Sequence, residues 1–577
     1  MPTPLEALKT AVTSYEPHLH SSGHIIDPII GQTTQYATPY HALCQATLAL
    51  QGVDPDHHLT NALRGFDAAL THLANPALPE NISGMQRATG TTFGVNHRDF
   101  FWPPLLKTYQ IFKALKLPQT TQFAERLAAV DIMHAFRSRP PSNWAAVWLS
   151  GEWLRFQAGL SPHSLTQIDA WLGIFFENHI LLEQGFFQEP GHPNSYDLFT
   201  RYHLADMVRQ GYNGAWQTEM VRLLELGLNR SLAVQLSDGS LASAHRSTGQ
   251  TWTLGAQCAY FTHAQQHFLA LGDETRAAQA QQGARRAFAS FVRWQRPNDL
   301  YSPVENCLPP GYRVGYESYT ADGHYANLAM GFLAVAILNG FDDTNSQSLQ
   351  GAGSSTFIEG DPTYRALAHH GPYSLHLNAF PAPHYDGFGL SDVTFGLNRR
   401  LHLVSSVRHL SEEAFYNLGI ASRSTPGRSQ LTVLAQQDPR PIGSIMPGPT
   451  PASFALKARV KGQAAHYTLA AHIDDAGIHV EEGTTQRDYK TLLIPYLRDS
   501  GYLRDSGRGE TTQVTIDGAT IRLQLGTEII QLEIAAQVDP ILDIPYGFEN
   551  RRGLCGLLRV DLTEPTTTVR YHLRLIN

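Results

Sequence analysis

Charge is scarce in this 577-residue chain. Asp, Glu, Lys and Arg together make up 16%, against roughly a quarter in an average soluble protein. No run of five Lys or Arg occurs and the formal net charge is −8, so a nucleic-acid footprint is absent. No window of 18 apolar residues occurs either, which excludes a membrane-spanning helix. Cysteine is sparse: Cys44, Cys258, Cys307 and Cys555 stand far apart without a CxxC pair. That excludes a disulfide framework or thiolate zinc site and predicts four buried free thiols. The opening "MPTPLEALKTAVTSYEP" lacks the basic segment and apolar core of a signal peptide. As written, the chain is expected in the cytosol, or secreted or periplasmic if a leader has been removed.

Histidine and aromatic residues are plentiful instead: 27 His, and 10% Phe, Trp and Tyr. A polar surface of Gln, Asn, Ser, Thr, His and Tyr suits neutral or sugar-like ligands. The length predicts more than one core, with two to four domains.

Two textures divide the chain. Up to about residue 340, segments such as "YHALCQATLALQG", "AAVWLSGEWLRFQAG" and "DGHYANLAMGFLAVAILNG" place apolar residues at i, i+3, i+4 and i+7, the helical period. About twelve such helices, punctuated by Gly, Pro and Asn, predict antiparallel hairpins in an (α/α)5-6 incomplete toroid over residues 1–342, with an all-α bundle as the alternative. The stretch 343–362, "DDTNSQSLQGAGSSTFIEGDP" in its wider context, reads as a linker. Beyond it, "YSLHLNAF", "AAHYTLAAHI", "TQVTIDGATIRLQLG" and "TTTVRYHLRLI" alternate with period two. Residues 363–577 are therefore expected to form an antiparallel β-sandwich.

Loops on a rigid scaffold carry function more often than helix faces do, so polar clusters at helix starts are the candidates. One holds Asn96, His97, Arg98, Asp99 and Trp102. A second, "SNWAAVWLSGEW", holds Asn143, Trp144, Trp148 and Trp153, where flat indoles could cover a pyranose face or simply pack in the core. A third, "GHPNSYDLFTRYHLAD", brings His192, Asn194, Tyr196, Asp197, Arg201, Tyr202, His203 and Asp206 to one Gly/Pro entry. There Asn194 either caps the helix or faces a ligand. The last two are "DGSLASAHRSTGQTW", with His245, Arg246 and Trp252, and "GYRVGYESYTADGHY", with Tyr312, Arg313, Tyr316, Glu317, Tyr319 and His324.

The order Asn143–Trp144, Asn194 at a helix start, Asp238–Gly239–Ser240 followed by His245, and then Arg313 resembles polysaccharide lyases with an α/α toroid and a β-sandwich. These are the hyaluronate, chondroitin and xanthan lyases, with heparinase-like and alginate lyases as cousins. The resemblance covers motif order over roughly residues 140–330. It implies β-elimination next to a uronic acid in a poly- or oligosaccharide. In that scheme Asn194 holds the substrate carboxylate, which stabilises charge developing as the C5 proton leaves. His245 is a base or carboxylate neutraliser, a tyrosine protonates the departing O4, and Arg313 lowers that tyrosine's pKa. The family's tyrosine position is occupied by Leu254, which leaves Tyr260, Tyr316 and Tyr202 as candidates. His97, Arg98, Trp144, Trp148, His192, Tyr202 and Trp252 are expected to bind substrate.

Two other functions compete. A toroidal glycoside hydrolase would use two carboxylates from among Asp99, Glu152, Glu189, Asp197, Asp238 and Glu317. A carbohydrate-binding protein would need the tryptophans but no convergence of His, Tyr, Asn and Arg. No cofactor is required. The His-rich stretches (His18, His20, His24; His57, His58; His369, His370) read as solvated loops. A structural metal ion in the sandwich near His376, His384 or His402 is allowed, with no ligands assigned. Oligomeric state is left open.

Overall fold

The computed structural model describes residues 1–74, 98–296, 298–342, 352–361, 363–382, 385–396, 403, 405–411, 415–425, 431–436, 439–441, 445–460, 466–501 and 511–576. Helices dominate the first part and antiparallel strands the second.

Thirteen α-helices occur among the described residues. They are α1 (Pro4–Tyr15), α2 (Ala37–Leu50), α3 (Pro55–Ala74), α4 (Trp102–Ala114), α5 (Thr120–Ala128), α6 (Ile132–Ala135) and α7 (Asn143–Gln157), followed by α8 (Leu165–Asn178), α9 (Asn194–Arg209), α10 (Gln217–Val234), α11 (Trp252–Ala270), α12 (Glu274–Phe291) and α13 (Asp322–Leu338). Each of the twelve expected helical stretches is present. One is divided, because the Asp131 carboxylate accepts from the Met133 and His134 amides and starts a new helix there.

Six helices form an inner ring in which α2, α4, α7, α9, α11 and α13 pack in turn and α13 returns to α2. The remaining longer helices lie outside: α3 on α2, α8 on α7, α10 on α9, and α12 on α11. Composition explains the division. Helix α13 is buried along its whole length from Asp322 to Ile337, as a helix surrounded on all sides requires. Outer helix α5 buries only Phe123 and Leu127. Gly255 lets α11 approach α13 closely, since a Cβ there would stand 2.3 Å from the Ala329 carbonyl oxygen.

The β part has two units. A four-stranded antiparallel sheet runs Ala352–Glu359, Arg365–Gly371, Tyr373–Asn378, Gly389–Thr394. Its first strand lies inside the stretch expected to be a linker; within that stretch, 343–351 and 362 lie outside the described residues. A larger antiparallel array follows, threaded by the long strand Gly477–Asp499. The first half of that strand pairs with His466–Asp474 and Thr566–Ile576, and its second half with Gly419–Arg423 and Gly553–Asp561. Both halves and the small sheet share one apolar core, which makes the unit a sandwich. All four cysteines are buried, and none is in a disulfide.

The small sheet is bolted to the helices by buried polar contacts. Arg230 of α10 pairs with Glu359, and Ser237 N–H donates to Ser374 Oγ at 2.8 Å. Ser243 N–H and Oγ both donate to Asp392 at 2.7 Å. From the far side Arg551 joins Asp392, and Arg552 donates to Ser240 Oγ at 2.7 Å.

Candidate active site

The inner helices bring their N-terminal ends together on one side of the ring, where aromatic rings record the convergence. Tyr36, just before α2, stacks on Phe100 at 4.5 Å and meets His324 of α13 edge-on at 5.0 Å. Phe100 touches Trp144 of α7 at 6.1 Å and Phe199 of α9 at 5.5 Å, and Tyr196 of α9 reaches Trp252 of α11 at 6.2 Å. Helix N-termini carry unpaired N–H groups and positive partial charge, so a mouth built this way favours an anion.

The loop between α10 and α11 crosses this mouth with His245 and Ser247 in the left-handed region, at φ +61° and +60°. Contacts from three directions hold it there. The His245 N–H donates to Asp386 at 2.9 Å, Ser195 Oγ donates to the Arg246 carbonyl at 3.1 Å, and the Ser247 N–H is accepted by Glu317. The His245 ring lies 4.6 Å from the ring of Tyr385, which the β part supplies. Gly191 closes the opposite side, and a Cβ there would fall 2.3 Å from His245 Nε2. Gly191, His192, His245 and Asp386, with Arg365 and Asn378, line a small pocket. Burial, reinforced by Arg246 and His192, pulls the His245 imidazole down to about 4, so it is neutral at pH 7. Among the described residues its Nδ1 has no hydrogen-bond partner. Burial, with Glu317 adding, raises the Tyr385 phenol, which therefore keeps its proton.

Beside this pair sits a charged strip. The Arg246 guanidinium lies 4.6 Å above the Tyr196 ring and pairs with Glu189, whose other oxygen accepts from Asn143 Nδ2 at 2.7 Å. Tyr196 and Tyr319 both bond the Ser247 hydroxyl, at 2.8 and 2.9 Å. Burial pushes the Glu317 carboxyl up to about 7, against the opposing Ser247 N–H and Arg246.

The residues singled out from the sequence fall into three groups. Asn194, His192, His245 and Arg246 come together at the mouth, as do Asn143, Tyr196, Glu317 and Tyr319. Asn194, however, is the first helical residue rather than the cap, which is Pro193. Its amide is spent inward, with Nδ2 donating to the Ala242 carbonyl at 2.9 Å and Oδ1 accepting from Arg365. It therefore positions the loop and Arg365 instead of offering a free amide to a substrate carboxylate. Trp144 is half-buried at the rim, Arg98 is buried at the start of the same wall, and His97 lies outside the described residues.

A second group is engaged elsewhere, and helix rise carries two of its members away from the mouth. Tyr260 and Tyr202 are each the ninth residue of their helices, about 12 Å down the barrel at 1.5 Å per residue. The Tyr260 hydroxyl donates to the Leu224 carbonyl at 3.2 Å, and Tyr202 stacks on His263 at 5.7 Å. Trp148 is core, donating to the Ser138 carbonyl at 3.2 Å, and Trp252 is buried under Phe199 and Tyr196. Asp197 pairs with Arg201 and Arg230, and Asp206 with Lys107 at 2.8 Å, all buried. The polar residues of α9 thus belong to the mouth only from Asn194 to Tyr196, and from Asp197 onward they form an internal ion network. Tyr316 donates to Asp322 at 2.7 Å and accepts from Arg296 at 2.8 Å. Arg296 pulls against burial at that phenol, and the Arg313 guanidinium lies 5.0 Å above its ring. Arg313 braces the loop by donating to the Glu317 and Thr320 carbonyls.

The remaining carboxylates are internal. Asp99 holds Ser138, Glu152 accepts from Trp102 at 2.9 Å, and Asp238 pairs with Arg552 at 2.5 Å. His58 is not a solvated loop residue but a buried one on α3, bonded to Gln45 at 2.5 Å. His376 is buried against Asp392 at 2.8 Å, while His384 and His402 lie outside the described residues. Sequence reasoning missed Tyr385, Arg365 and Asp386. The stretch "AFPAPHYDGFG" does carry a signal, a His, Tyr and Asp packed between prolines and glycines.

No family model matches the chain, and no curated protein matches it by sequence. Among solved structures it is similar to heparinase III, at 9% identity and TM-score 0.38, covering 99% of this chain and 84% of that one. A polysaccharide lyase at 12% identity and TM-score 0.38 covers 59% of this chain and 98% of that one. An alpha-1,6-mannanase from a Salegentibacter species, at 11% identity and TM-score 0.37, covers 58% and 99%. Likenesses this distant assign no chemistry.

Proposed function

We propose that this protein is a lyase that cleaves a poly- or oligosaccharide at a uronic acid by β-elimination, leaving a 4,5-unsaturated uronate end. The observation that carries the reading is the pairing of a neutral His245 with a protonated Tyr385, 4.6 Å apart and next to Arg246 at a mouth of helix N-termini.

The uronate carboxylate is held by Arg246 and the helix ends, which lowers the cost of negative charge on C5. The neutral His245 imidazole takes the C5 proton. The freed electron pair forms the C4–C5 double bond, the C4–O4 bond breaks, and the departing O4 receives the Tyr385 phenolic proton. Asp386 holds the His245 backbone, and Asn194 holds Arg365 and the loop at Ala242. The neutral polar and aromatic rim, including Trp144, suits the apolar face of a sugar ring.

A hydrolase is the second reading. It is supported by Glu189 and Glu317, which flank Arg246 and Ser247, with Glu317 protonated near neutral pH as a general acid needs. Incubation with glucuronate-, iduronate-, mannuronate- and galacturonate-containing polymers separates the readings. Elimination yields an ultraviolet-absorbing conjugated alkene, hydrolysis yields reducing ends without one, and a carbohydrate-binding protein yields neither.

A further inference from the structure

Far from the mouth, three histidines form a ladder across neighbouring strands of the large array. His472 stands opposite His479 in the register of His466–Asp474 against Gly477–Asp499, and His479 stands opposite His572 of Thr566–Ile576. The rings stack nearly parallel, with centroids 4.3 and 4.2 Å apart. Asp474 closes the end of the ladder at the hairpin: its Oδ1 accepts from His479 Nε2 at 3.2 Å, and its Oδ2 lies 3.9 Å from His472 Nε2.

We propose that His472, Asp474 and His479 form a binding site for a first-row divalent metal ion such as zinc, which clips these strands together. One ligand atom from each residue lies within 4.8 Å of the others. Two atoms each about 2.0–2.2 Å from a zinc ion cannot be more than about 4.4 Å apart, so the stacked His472 and His479 rings must turn their in-plane lone pairs toward one point to complete the site. Those rotations are open to it, because the His472, Asp474 and His479 side chains are 47%, 51% and 31% exposed. The carboxylate is already anchored, since Oδ1 accepts the Ala476 and Gly477 amides at 2.9 and 3.2 Å and Oδ2 is left for the metal. Two imidazoles and a carboxylate are borderline and hard donors, a set that suits zinc and its neighbours in the first transition row. The fourth position is left to water. His572, whose Nε2 lies 3.2 Å from the Ala476 carbonyl, supports the outer face of His479. Metal ligands must be deprotonated to bind, so affinity falls on acidification.

The test is equilibrium dialysis of the full, tag-free chain against zinc chloride, with thermal unfolding read alongside. About one zinc per chain and a raised melting temperature are expected. His479→Ala and His472→Gln should each weaken binding at least about tenfold and abolish the thermal shift, while melting like the parent without metal. His57→Ala, on the separate Glu16–His57–His58 group, should change nothing. No bound zinc, zinc retained in both ladder variants, or zinc lost in His57→Ala would each overturn the assignment.

Discussion

At the scale of the residue, a few side chains whose surroundings set their protonation govern the proposed chemistry. His245 lies in a loop that residue propensities disfavour, at φ +61°, a cost that tertiary contacts must offset. His245→Ala and Tyr385→Phe should each lower kcat by roughly a hundredfold to ten-thousandfold, the range for losing a general base or acid. Melting temperatures should barely move, because neither ring is core. Gly191→Ala is a sharper probe. Its Cβ would collide with the His245 ring and its φ of +82° disfavours any side chain, so activity should fall although no reacting group is removed. Steady-state rates beside circular dichroism check all three. Half of this site was legible in the chain. His245, Arg246, Tyr196 and Glu317 sit at helix starts, where glycine and proline punctuate polar runs. Tyr385 was not legible, because it lies 140 residues beyond His245 in a different unit and only tertiary packing joins them.

At the scale of the element, periodicity served the helices well and the strands unevenly. Strands with one wet face, such as His466–Asp474, alternate strictly in burial and read clearly. The second half of Gly477–Asp499 is buried without interruption from Lys490 to Leu497, so "KTLLIPYL" shows no period of two. Helix α9 demonstrates the converse trap. Its polar residues looked like a single functional face, yet Asp197 and Arg201 are a buried pair with Arg230. The two guanidinium groups hold the Asp197 carboxyl below its usual range despite burial. Arg201→Met takes one of two cations from the buried Asp197 carboxylate and leaves Arg230, so it should destabilise the fold by about 1–3 kcal/mol. Urea unfolding monitored by fluorescence measures this, and a change within about 0.5 kcal/mol would contradict the assignment.

At the scale of the whole molecule, buried histidines tie stability to pH. Burial lowers His41 and His369 to about 4 and His203 to about 3, from 6.5. In the unfolded chain these groups gain protons as pH falls through about 6.5, while in the folded chain they stay neutral, so the unfolded state binds more protons there. Stability should therefore be complete above pH 7 and fall as pH drops from about 6.5 toward 4. Below that the depressed carboxyls Asp197 and Asp206 add their own losses. A pH series of melting temperatures should show decline beginning near 6.5, and a flat profile down to pH 5 would contradict it. Both units are needed for the mouth, since the helices supply His245 and Arg246 while the sheet supplies Tyr385, Arg365 and Asp386.

The most direct measurement is ultraviolet absorbance during incubation of the purified chain with uronic-acid polymers. Growth of the conjugated-alkene band on at least one of them, lost in both His245→Ala and Tyr385→Phe, is the predicted result. Release of reducing ends with no such band would contradict elimination and place the chemistry on Glu189 and Glu317 instead.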